Sequence, residues 1–286
     1  MTPLILAGLL AALTDATPLP TLAPQDIRTQ VAALAPEARQ ALLSDAYEKK
    51  VTLQMSDEQL AAMMDAMGAE VRLNTAFAFL AKHNTYEVIV TKQERIDGKL
   101  NEGQEVDRTL VRIREKPKAV YMKWLKGGRH VGQELIFDAV TTPKQFRVRP
   151  DGVFGVLAYN IDLDSRLAHE ESIHLPGDYG FGGLLGFLNQ DRIKLEKAGL
   201  PTAPVSQKSA VHRGIKCWEN VYLTPGRPAY SADKARFLYD LTSGQPLFAE
   251  VYDKNGVLWE RYDYEEVRWA PLPANAFDKK NPAYDF

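Results

Sequence analysis

From Tyr86 onward the chain alternates. Tyr86, Val88 and Val90 are separated by Glu87 and Ile89, and the polar residue Thr91 follows. A period of two places alternate side chains on opposite faces, which is the mark of a β-strand and not of a helix. The turn signal I-D-G-K comes next, then the run T-L-V-R-I-R. After Lys116-Pro117 comes A-V-Y-M-K-W-L, with Val120, Met122 and Trp124 on one face and Ala119, Tyr121 and Leu125 on the other. Gly127-Gly128 leads into Q-E-L-I-F-D, and short strands are expected at Gln145–Arg149 and Ala158–Leu163. The runs I-K-C-W-E-N-V-Y-L, A-R-F-L-Y-D-L, P-L-F-A-E-V-Y-D and V-L-W-E-R-Y-D-Y-E-E-V complete the series, with turns at Thr242-Ser243-Gly244 and Lys254-Asn255-Gly256. Strand after strand joined by short Gly, Pro or Asp turns predicts an antiparallel meander.

Two helical segments interrupt this pattern. Residues 24–82 read as helix, with Leu60, Met63, Met64, Met67 and Val71 recurring every three or four positions after a Ser56-Asp57 cap. Such a stripe is either core or an adaptable methionine surface, and core is the expectation. A second helix is expected from Gly182 to Ala198. Its glycine-rich start, G-F-G-G-L-L-G, lacks the third glycine of a dinucleotide loop and the Lys-Ser/Thr of a phosphate loop. The fold expected is α+β, one strongly curved antiparallel sheet forming an open half-barrel capped by helices. The expected organisation is a signal peptide at 1–16, a helical segment at 17–70 and the half-barrel at 71–286. The signal peptide rests on the apolar run Leu4–Leu13, too short to span a bilayer, followed by small and polar residues.

The chain offers little catalytic chemistry. A net charge of −2 over 286 residues gives no global attraction for nucleic acid. The single cysteine, Cys217, sits in an apolar run and reads as a buried small hydrophobe. There is no G-x-S-x-G elbow. The stretch H-E-E-S-I-H mimics a zinc motif, but His169 and His174 are five apart where the motif needs four, so they read as two surface histidines near a strand end with no metal and no cofactor. The acid pairs Asp162/Asp164 and Glu170/Glu171 read as solvated.

The stretches Y-E-V-I-V-T-K-Q-E-R-I-D-G-K-L, K-P-K-A-V-Y-M-K-W-L-K-G-G-R-H-V-G-Q-E-L-I-F-D and F-D-K-K-N-P-A-Y-D-F together resemble the bacterial domain of unknown function 1571 family over about Thr75 to Phe286. The hairpins from Leu238 to Val267 are similar at fold level to the LolA/LolB outer-membrane lipoprotein carriers. That resemblance implies an incomplete barrel with helices as a lid over an apolar cavity. The resulting expectation is a periplasmic, non-enzymatic binding protein for a lipid or the acyl chains of a lipoprotein, with an envelope protein as a further partner. Tyr121, Trp124, Phe137, Leu184 and Leu188 are the candidate cavity residues. Glu94, Arg95, Gly182 and Gly183 are the candidate gate and hinge. Two other readings stand beside it: a cell-envelope enzyme using the carboxylates at 162–171, and a structural protein docking a partner through a sheet edge.

Overall fold

A computed structural model describes residues 22–102, 106–152, 157–170, 172–224 and 232–286. The expected signal peptide and Glu171 lie outside the described residues. In chain order the elements are α1 (Pro24–Ala32), α2 (Pro36–Glu48), α3 (Asp57–Lys82), β1 (Thr85–Ile96), β2 (Lys99–Leu100), β3 (Asp107–Arg114), β4 (Ala119–Trp124), β5 (Glu134–Asp138), β6 (Gln145–Arg149), β7 (Tyr159–Asp162), α4 (Phe181–Lys197), β8 (Ser206–His212), β9 (Ile215–Leu223), β10 (Lys234–Asp240), β11 (Pro246–Tyr252) and β12 (Leu258–Arg268). The class is α+β with an antiparallel, unclosed sheet. No described helix is long and apolar enough to cross a membrane.

The chain divides into two compact units. The first takes the described residues up to Phe79 together with Leu185–Pro246. Here β8 pairs with β9 and β9 with β10, and the helices supply most of the core. α3 begins with a reciprocal cap: the Gln59 amide donates to Ser56 Oγ, and Gln59 Oε1 accepts from the Ser56 amide. Its stripe of Leu60, Met63, Met64, Met67 and Val71 is buried against Ile27, Val31, Leu42, Leu43, Trp218 and Leu241. The methionines are therefore core, as expected. α3 is broken at Gly68, whose φ of 74° and ψ of 166° are not helical. Cys217 is buried and its thiol is pushed up to about 12, chiefly by burial.

The second unit takes Leu80–Leu184 and Leu247–Phe286. Its strand order is β7-β6-β5-β4-β3-β1-β12-β11, with β2 folded back on β1. The Asp97-Gly98 turn, both residues at positive φ, closes that hairpin over the pair Ile96–Lys99. The registers Val90–Thr109, Thr109–Trp124 and Val120–Phe137 define one face. Tyr86, Val88, Val90, Val111, Ile113, Val120, Met122, Leu135, Phe137, Phe146, Val148 and Ile161 share it and are buried. We call it the inner face.

The outer face of β3–β5 is covered by the chain's own end. Tyr284 stacks on Tyr121 with ring centroids 3.8 Å apart and an 8° interplanar angle, and Ile136, Phe277 and Phe286 join them. The Arg112 guanidinium lies over both rings, donates to the Tyr284 hydroxyl at 3.0 Å and pairs with Glu87 at 2.8 Å. Asn281 Oδ1 accepts from the Ala283 amide and its Nδ2 donates to the Asn275 carbonyl, which shapes the N-P-A-Y-D-F segment for this docking. A terminal segment thus does what a second layer does elsewhere, and β4 is buried on both sides.

Two strands lie outside the expected series, the two-residue β2, which begins inside the I-D-G-K turn, and β8, S-Q-K-S-A-V-H. β8 is a polar edge strand with no buried residue, so it shows no apolar period to read. In the helical unit, Leu60→Ala leaves a cavity in a site with 0% exposure. It is expected to cost about 2–5 kcal/mol, read as a lowered midpoint in urea unfolding followed by circular dichroism.

Candidate functional site

The inner face of the second unit changes character along its strands. On β1 it runs Tyr86, Val88, Val90 and then Lys92 and Glu94. On β3 it runs from Ile113 back through Val111 and Thr109 to Asp107, and on β12 from Tyr264 through Tyr262 to Glu260. Lys92 lies opposite Tyr262 and Asp107 in the register, and Glu94 lies opposite Glu260. Each strand therefore contributes a charged side chain at the same end, and all are buried.

Burying a charge is costly unless it is paired and hydrogen-bonded. Lys92 Nζ lies 3.1 Å from Glu94 Oε2 and 3.4 Å from Asp107 Oδ2, and donates to Ser172 Oγ at 3.0 Å. Asp107 also accepts two bonds from the fork of Arg129, at 2.7 and 3.0 Å, and one from Trp124 Nε1 at 3.0 Å. Glu94 accepts from the Tyr262 hydroxyl in a very short contact and from the Ile173 amide at 3.1 Å. Burial by itself would lower the Lys92 pKa, but Tyr179, Glu94 and Asp107 outweigh it and hold the ammonium charged. Burial would raise Glu94 and Asp107; Lys92 and the hydrogen bonds outweigh it, and both carboxyls titrate below their ordinary values.

The segment from Ser172 to Phe181 closes over this face as an irregular strap with one short helical turn, Pro176–Asp178. At the charged end, His174 Nε2 meets Glu260 Oε2 at 2.8 Å and its ring sits 6.0 Å from the Tyr262 ring. In the middle, Tyr179 lies against Lys92. A Cβ at Gly177 would meet Phe137, and one at Gly180 would lie 2.5 Å from the Tyr86 hydroxyl and 2.6 Å from Ile113. At the apolar end, Glu115 Oε1 accepts from the Gly182 amide at 3.1 Å and from the Tyr86 hydroxyl at 2.6 Å, and the Tyr86 hydroxyl accepts from the Phe181 amide at 2.8 Å. A carboxylate so placed caps the start of α4. The Phe181 ring packs on Tyr86, Tyr264 and Trp269 at 4.8–5.4 Å.

The residues singled out from the sequence fall in different places. Trp124 and Phe137 are on the inner face, and Trp124 is tied into the charged network. Tyr121 is on the outer face beneath Tyr284, away from those two. Leu184 and Leu188 are half-buried, and α4 buries Phe181 and Leu185 instead. Glu94 points inward. Arg95 points outward, where it donates to the carbonyls of Leu258 and Gly98 and clamps the β1–β2 turn. Gly182 and Gly183 provide room: a Cβ would lie 2.3 Å from Glu115 Oε2 at Gly182 and 1.8 Å from the Asp178 carbonyl oxygen at Gly183.

His174 departs from the expectation of a surface histidine. It is half-buried and bonded to Glu260, whereas His169 is exposed at the end of the turn after β7. The spacing argument concerned the pair, and the partners that matter come from β1 and β12. Asp162, Asp164 and Glu170 are exposed. One ligand atom each from Glu94, His174 and Glu260 lie within 4.8 Å of one another. Glu94, however, already accepts from Lys92, Tyr262 and Ile173, and the Lys92 ammonium would face any cation placed there. The set suits a proton between His174 and Glu260 better than a metal ion. A sequence signal for the site existed: two charges, Lys92 and Glu94, continue an apolar face at the same period of two.

The comparisons with known proteins are as follows. The family model "Protein of unknown function (DUF1571)" matches residues 83–286. No curated protein matches the chain by sequence. Among solved structures, an uncharacterized conserved protein from Thermus thermophilus aligns with a TM-score of 0.41 and 9% identity, covering 74% of this chain and 95% of that one. A LolA superfamily protein from Nitrosomonas europaea gives 0.30 and 13% identity over 71% and 97%. The Mycobacterium tuberculosis lipoprotein LppX gives 0.37 and 11% identity over 72% and 99%.

Lys92→Met leaves buried carboxylates without their shared cation and is expected to cost about 3–5 kcal/mol. Adding Glu94→Gln recovers part of the loss, because Asp107 keeps Arg129. Urea unfolding of the single and double variants measures both effects.

Proposed function

Because the chain belongs to the DUF1571 family, proteins of unknown function, we propose a function from the site itself: a non-enzymatic binding protein for an amphiphile, a lipid or the acyl chain of a lipoprotein. One observation carries this reading. The inner face of the second unit is apolar over most of β1 and β3–β7, and the irregular Ser172–Phe181 strap packs on it at Phe137, Tyr86 and Ile113. A strap without regular secondary structure over most of its length can open locally at far lower cost than a core strand. Beneath it, an acyl chain would lie along the buried side chains Val88, Val90, Val111, Met122 and Phe137, gaining about 0.8 kcal/mol per buried CH₂. The polar head would remain at the charged end by Lys92, Glu94 and Asp107. Trp124 stands at the junction, its ring on the inner face and its indole N–H on Asp107.

This assigns roles to the residues named from the sequence. Trp124 and Phe137 line the site, Glu94 fastens the strap, and Gly182 and Gly183 let its far end pack against Glu115 and Asp178. Tyr121, with Leu184 and Leu188, supports the fold around it. The apolar run Leu4–Leu13 supports export, and in this reading the carrier works in the cell envelope.

A fluorescent fatty acid titrated into the full chain is expected to bind saturably, and Val90→Glu is expected to weaken it at least tenfold, because an unpaired carboxylate would then stand in the apolar lining against the acyl chain. Lipids extracted from protein purified without detergent identify the natural ligand. No saturable binding by the wild type would mean a filled inner face and would favour a protein that docks a partner.

A further inference from the structure

The strap is fastened differently at its two ends. Its apolar end is held by Glu115 and a cluster of rings. Its charged end is held by three neighbouring residues that meet two carboxylates and the ammonium beside them: the Ile173 amide on Glu94, Ser172 on Lys92, and His174 on Glu260. Glu94 and Glu260 face each other directly across β1 and β12. Like charges in that position repel. Lys92 serves the Glu94 side; on the Glu260 side the group in place is His174.

We propose that His174 is a proton-operated latch: as an imidazolium it pins the charged end of the strap to Glu260 and Glu94, and on losing its proton it releases that end while Glu115 keeps the other. The motion would pivot about Gly180, whose φ of 93° favours glycine. As regulation of the amphiphile site the latch rests on the reading above; as a motion of the strap it does not.

The groups facing His174 are Glu260 and Tyr262 from β12, Glu94 and Lys92 from β1, and Asp178 and Tyr179 from the strap itself. Burial opposes its charge, but the hydrogen bond and charge of Glu260, with Glu94 and Asp178 behind it, raise its pKa above the ordinary histidine value. A raised pKa fixes the direction. The latch's contribution is full below the pKa of a free histidine and is lost as pH rises through the value in the closed state. Each pKa unit between closed and open states corresponds to a tenfold change in the closed-to-open ratio.

The test follows the strap directly. Hydrogen exchange, corrected for its intrinsic pH dependence, is measured on peptides covering residues 172–180 in the full chain across neutral to alkaline pH. The His174 ring is titrated by NMR on the same samples. The expected result is a His174 pKa above 6.5 and loss of strap protection through that pKa, with β1 amides unchanged. His174→Gln keeps a donor toward Glu260 without a titrating charge and is expected to abolish the step. A His174 pKa at or below 6.5, flat wild-type protection through the titration, or a step surviving in His174→Gln would overturn the latch. So would stoichiometric added zinc that shifts the His174 resonances, because the triad would then be a metal site. If the strap shows the step and the fluorescent fatty acid does not bind, the latch stands and the amphiphile reading falls.

Discussion

Lys92 is the constraint on which the second unit depends. An ammonium at 4% residue exposure is tolerable only with its donors satisfied, and each of its partners comes from a different piece of chain: Glu94 from β1, Asp107 from β3 and Ser172 from the strap. Satisfying one buried charge therefore fixes the register of β1 against β3 and positions the strap above them. Arg129 and Trp124 extend the same requirement to the end of β4 and the turn beyond it.

The network also explains why the inner face is not uniform. An apolar layer along its whole length would be more stable, since a buried ion pair seldom outperforms well-packed hydrocarbon. Charges at one end instead give the strap a defined place to attach, through directional bonds to Glu94, Lys92 and Glu260. The other end is attached by ring packing and by the Glu115 carboxylate at the start of α4. In the proposed latch, one attachment is conditional and the other is kept. The outer face carries no such asymmetry: Tyr121, Tyr284 and Arg112 form a stack that closes it with the end of the chain.

The glycines show how a local reading and a tertiary one diverge. Glycine at 180, 182 and 183 reads as permissive backbone when only neighbours in sequence are considered. In the fold, Gly182 and Gly183 leave room for Glu115 and the Asp178 carbonyl, and only Gly180 takes a conformation that disfavours side chains. The same divergence separates Tyr121 from Trp124. Three positions apart on one strand, they were bound to face opposite ways; which face was inner depended on the strap and the terminal segment.

Period and turn chemistry were legible in the sequence. Alternation from Tyr86, the Asp97-Gly98 and Asn255-Gly256 turns and the methionine stripe of α3 are local, and each is enforced within a few residues by backbone geometry and by the need to hide apolar side chains. β8 was not legible, because an edge strand gains its structure from a neighbour and not from its own pattern. The site was half legible. Lys92 and Glu94 stand on an apolar face in plain view, but Asp107, His174, Glu260 and Tyr262 reach them from distant parts of the chain, Tyr262 from 168 residues beyond Glu94, and no spacing rule spans that distance. His169 and His174 are close in sequence and separate in function; His174 and Glu260 are 86 residues apart, yet their side chains meet at 2.8 Å. Sequence alone decided that this chain would form strands and which side chains each strand would present together. Only the tertiary structure decided which of those faces would be roofed, because the energy of a buried charge is set by the partners that long-range pairing brings to it.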